Sequence, residues 1–141
     1  MADSALTVAL NQQITSLTDL LALLKDELNA IAGRSGAQLK EITPKKAQAL
    51  GVIQKQDQHI AQLLTSQPEQ DESEQALIAQ GRALLMQCKE QNQVNAQAAH
   101  QAQLSVKQLK DILIGAPSSV TYAADGAIQR SDNKLVRNLK A

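Results

Sequence analysis

Between residues 10 and 31 the chain sets Leu10, Ile14, Leu17, Leu21, Leu24, Leu28 and Ile31 in alternating steps of four and three. That spacing gathers apolar side chains into one stripe on an α-helix, whereas a strand would scatter them over both faces. Leu20 and Leu23 widen the stripe near its middle. A helix of about 30 residues is about 45 Å long, so whatever covers the stripe must also be long. The residue types press the same way. The 141 residues include one Tyr, no Phe and no Trp, although 43% are hydrophobic. Large rings supply much of the burial in most cores. Without them, a core has to be assembled from Leu, Ile and Ala along extended helix contacts.

Asp3 or Ser4 can cap the start of this helix, and Gly33 supplies a stop. Ser35 and Gln38 have the spacing of a capping box for a second helix. Thr43 followed by Pro44 signals a restart, which predicts a break or kink near Thr43. Leu39, Ile42, Leu50, Ile53, Ile60 and Leu64 continue the apolar seam. Lys46 and Asp57 interrupt it, and read as edge positions or as polar residues that set the register. The polar, acidic stretch "TSQPEQDESEQ" around Pro68 reads as the second connection. A third helix opens with Leu77, Ile78, Leu84, Leu85 and Cys88 and closes with Val106, Leu109, Ile112 and Leu113. Its Gln, Asn and Ala-rich middle offers Val94, Leu104 and small alanines for burial. Gly115 and Pro117 end it.

The expected fold is therefore all-α. It is an antiparallel, coiled-coil-like three-helix bundle over residues 1–115, followed by a flexible C-terminal tail over residues 116–141. The helices are placed at about 3–32, 37–65 and 73–114. The third outreaches the first by about ten residues, about 15 Å.

Lys plus Arg number 14 and Asp plus Glu number 14. A nucleic-acid binder carries a basic excess and stacking aromatics, so that class is discounted. Cys88 is the one cysteine and cannot form an intramolecular disulfide, which suits a reducing compartment. "MADSALTVALNQQ" lacks the basic region of a secretory signal. No apolar run approaches the roughly 18 residues of a membrane span. A cytoplasmic protein with no membrane insertion is expected. His59, His100 and Cys88 do not have zinc-ligand spacing. No glycine-rich phosphate loop and no nucleophile with a nearby base stands out. The expectation is no cofactor, no metal and no enzymatic activity, with Cys88 acting as a small buried hydrophobe.

The residues after Gly115 differ in kind. They hold the lone Tyr122, the turn pair Asp125-Gly126 and a scattered set of apolar side chains. Three segments, "GAQLKEITPKK" from Gly36, Asn95 with the leucines after it, and "VTYAADG" from Val120, resemble the FlgN family of flagellar export chaperones for hook-associated proteins. Ala123 stands where that family commonly carries glycine. The resemblance implies a cytoplasmic, helical, non-enzymatic protein. Such a protein binds filament-junction subunits before export and docks at the type III export gate through the export apparatus. It also implies client contact through the C-terminal segment, with Tyr122, Asp125 and Gly126 matching the motif. Val120, Ile128, Leu135, Val136 and Leu139 join them on apolar pattern alone. A tyrosine offers a large contact area with few rotatable bonds, and a segment that orders on its client binds reversibly. The competing expectation is a structural coiled-coil or adaptor protein that forms a homo-oligomer through its apolar seams.

Overall fold

The computed structural model of the chain describes residues 3–114, and these form three helices: α1 (Ala5–Ala32), α2 (Gly36–Ser66) and α3 (Glu72–Ile114). Ser4 caps α1, its hydroxyl accepting the Thr7 N–H at 3.0 Å. The other end closes in a Schellman motif, with Ser35 N bonded to Ala30 O and Arg34 N to Ile31 O. The left-handed residue of that motif is Arg34, with φ 53°, and Gly33 keeps a right-handed φ of −80°. The glycine expected to make the turn thus sits one residue too early to do so. Ser35 then caps α2 by accepting the Gln38 N–H at 3.3 Å.

Pro44 lies inside α2, and the helix runs through it from Gly36 to Ser66. The break expected near Thr43 does not occur. Proline at 44 deprives the Lys40 carbonyl of its usual donor, but Lys40 and Pro44 both lie on the exposed side of the helix, where water can serve that carbonyl. Ile42 and Lys46, on the opposite side, are buried and tie this part of the helix to the bundle.

α1 is the central element. It packs against both α2 and α3, while α2 and α3 make little backbone contact with one another. This explains why α1 carries more leucine than one seam requires: Leu17, Leu20 and Leu24 are all buried, together with Leu6, Ala9 and Leu10. The burial falls into two clusters. One joins Leu17, Leu20 and Leu24 to Cys88, and the other joins Leu6, Ala9 and Leu10 to Ile60.

α1 runs antiparallel to α2 and parallel to α3. Cys88 meets the Leu17 carbonyl and Asn95 the Leu24 carbonyl, each pair 71 residues apart. At this offset the end of α1 lies level with Gln103. α3 continues for 11 further residues to Ile114, about 16 Å. Val106, Leu109, Ile112 and Leu113 are exposed along this extension. Val94, expected to fill the middle of the third helix, points outward, and Cys88, Asn92 and Asn95 take the inward positions instead. Their steps of four and three fit the seam, and Val94 falls between them.

Candidate functional site

Because α2 and α3 flank α1 without closing on each other, an apolar groove remains between them. Leu10, Ile14 and Leu17 of α1 form its floor. Leu50, Ile53, Ile60 and Leu64 line one wall, and Leu77, Ile78 and Leu85 the other. The groove has a volume of about 210 Å³ and is open along one side. Asp57 lies exposed on the α2 lip and Arg82 on the α3 lip. Asp57 is therefore an edge residue of the seam.

Polar ties bound the groove at both ends. At one end Lys46 is buried and joins all three helices. Its Nζ lies 3.2 Å from Glu27 Oε1 on α1 and 2.8 Å from Asn92 Oδ1 on α3. Asn95 completes the junction by donating to the Leu24 carbonyl at 2.7 Å and to Glu27 Oε1 at 2.8 Å. Gln91 in turn donates to Asn95 Oδ1 at 3.0 Å. A buried ammonium is tolerable only with such a complement of partners. Lys46 is the register-setting interruption: a shift of α2 along α1 would strand its charge.

At the other end the "QDESE" stretch folds into a capping box, with Asp71 Oδ1 accepting Glu74 N–H at 2.8 Å and Glu74 Oε1 accepting Asp71 N–H at 3.1 Å. The Gln67 amide and the Ser4 hydroxyl also donate to the Glu74 carboxylate. These bonds hold both carboxyls below their ordinary range. For Asp71 the main cause is the Glu74 N–H, followed by the Ser73 hydroxyl. For Glu74 it is the Asp71 N–H, followed by Gln67. In the sequence these acids read only as part of the second connection. The signal that identifies them is the Asp-x-x-Glu spacing just before the apolar residues Leu77 and Ile78.

Cys88 is buried, and burial raises its thiol to about 11, so it is protonated near neutral pH. No three His, Cys, Asp or Glu side chains among the described residues converge as metal ligands. No helix among them is long and apolar enough to cross a membrane. The residues singled out for client binding, Val120, Tyr122, Asp125, Gly126, Ile128, Leu135, Val136 and Leu139, all lie outside the described residues.

Among the described residues the geometry is that of an all-α three-helix bundle with an apolar groove along one side. A family model described as FlgN protein matches residues 1–130, and the chain belongs to the FlgN family. This is a family of flagellar export chaperones and not of enzymes, whose members bind flagellar proteins and the export apparatus. The matched span takes in Tyr122, Asp125, Gly126 and Ile128 and stops before Leu135. No curated protein and no solved structure gives a match.

Proposed function

We propose that this protein is a cytoplasmic chaperone that binds hook-associated flagellar subunits through its C-terminal segment. It keeps them unassembled and delivers them to the type III export gate. The observation that carries this reading is the family match, which continues past the helices through the "VTYAADG" segment. Tyr122 is the chief anchor, with Val120, Ile128, Leu135, Val136 and Leu139 as apolar contacts and Asp125-Gly126 as the turn. The exposed Val106, Leu109, Ile112 and Leu113 support it, since they extend apolar surface along α3 up to the point where the tail begins. The polar middle of α3 is satisfied inside one chain by Lys46, Glu27 and Leu24, so it calls for no second copy.

The test is titration of a purified, unassembled hook-associated protein into the full chain and into a Tyr122→Ala, Ile128→Ala, Leu139→Ala variant. A weakening of about 100-fold or more is expected for loss of an anchor tyrosine and two apolar contacts, with helical circular dichroism unchanged. Equal affinity for both proteins would sink the tail assignment.

A further inference from the structure

A second cavity, of about 460 Å³, lies between the α1–α2 turn and the last third of α3. Ile31, Leu39, Ala99, Ala102 and Val106 make its apolar surface. Its rim carries Arg34, Lys107 and Lys110, and among the described residues no carboxylate lines it. The side chains of Arg34 and Lys110 are exposed and make no ion pair or hydrogen bond among the described residues. Gln103 also lines the cavity, and its Oε1 is buried without a donor among the described residues.

We infer that this pocket docks a segment of a partner protein that carries carboxylates beside a few aliphatic side chains. Two cations, Arg34 and Lys110, beside an apolar floor select that chemistry: carboxylates pair with the rim, aliphatic groups fill the floor, and a main-chain N–H satisfies Gln103. Arg34 adds a second argument. It occupies the left-handed position of the Schellman motif at φ 53°, where glycine avoids the steric cost. A residue held there against its backbone preference is explained by what its side chain does. The chain's own tail is a poor occupant on charge. Beyond Gly115 it carries Arg130, Lys134, Arg137 and Lys140 against Asp125 and Asp132.

The choice of probe rests on the export-chaperone reading, so the test uses a purified, unassembled hook-associated protein with the full chain. Carbodiimide joins lysine ammonium groups to carboxylates in direct contact, and mass spectrometry identifies the joined residues. Cross-links from Lys110 to carboxylates of the subunit are expected. Arg34→Gly combined with Lys110→Gln is expected to weaken the complex about tenfold, the loss of two charge-assisted contacts at a solvated rim. The same pair should leave the melting temperature unchanged or higher, because glycine suits the left-handed position. A complex that forms without these cross-links and is indifferent to the double variant overturns the pocket and leaves the chaperone reading standing. Cross-links from Lys110 to Asp125 or Asp132 of the same chain, or to a second copy, assign the pocket another occupant and overturn the proposal. Absence of any complex overturns both.

Discussion

Lys46 Nζ lies 2.8 Å from Asn92 Oδ1, joining α2 directly to α3 at a level where both otherwise rest on α1. The same ammonium neutralises Glu27, which also accepts a hydrogen bond from Asn95. Three helices therefore share one buried charge pair.

Replacing Lys46 by Met keeps much of the side-chain volume but leaves the Glu27 carboxylate and Asn92 Oδ1 short of a donor. A loss of about 2–4 kcal/mol is expected, in the range for breaking a buried pair from one side. Adding Glu27→Gln should recover part of that loss, because the remaining charge is removed and the Asn95 acceptor kept. Urea unfolding of the two single variants and the double variant measures the coupling. Strict additivity would show that the pair does not interact.

Arg34→Gly alone should stabilise the protein by about 1 kcal/mol, because only glycine takes a positive φ without a Cβ clash. For a domain of this size that is a rise of about 4 °C in melting temperature, readable by circular dichroism. Destabilisation would mean that the arginine side chain contributes more to the fold than its backbone position costs.

The Asp71–Glu74 capping box sets a pH dependence. Both carboxyls are held below their ordinary range in the folded protein, so the folded state favours their charged forms. Their contribution is complete above the unfolded carboxylate range and is lost as the pH falls through the lowered folded values. Thermal melts should be flat in this respect above about pH 5 and decline progressively below about pH 4. In Asp71→Asn with Glu74→Gln the melting temperature should be lower at neutral pH and the acid decline shallower. An unchanged acid limb would locate the acid sensitivity elsewhere.

Cys88 should resist thiol reagents at pH 8 in the native protein and react fully in denaturant. Burial blocks access and, with the thiol raised to about 11, keeps the thiolate scarce. Fast, stoichiometric modification of folded protein would mean that the α1–α3 contact at Leu17 opens readily.

Much of the fold is legible in the spacing of apolar residues, for definite reasons. The steps of four and three in α1 record a helix covered along its length, and Ser4 and Ser35 are caps whose chemistry is local. Cys88 reads correctly because a small sulfur-bearing side chain on an apolar face has little else to do. What local spacing cannot show is which helix supplies the cover. Short connections suggest that α3 lies beside α2, yet its contacts go mainly to α1. Hence Lys46 and Asp57, alike as interruptions of one seam, have opposite environments, one at a three-helix junction and the other at an open lip. Asn92 and Asn95 displace Val94 from the interior for the same reason, since a polar partner from another helix waits at their level. Pro44 continues its helix because the carbonyl it orphans faces water. The client-binding residues rest on resemblance and apolar pattern, in a segment beyond Ile114.

The offset of 71 residues between α1 and α3 has a consequence in time. The α1–α2 hairpin closes a short loop, and loop closure between near neighbours is fast and entropically cheap. The parallel contact needs half the chain between its two sides, so the α1 face at Leu17 and Leu24 stays only partly covered, by α2, until Cys88 and Asn95 have been synthesised. At about 5–20 residues per second, that interval lasts several seconds during translation. A protein of the FlgN family, whose work is to guard unassembled chains, thus spends its own first seconds with its central helix half bare.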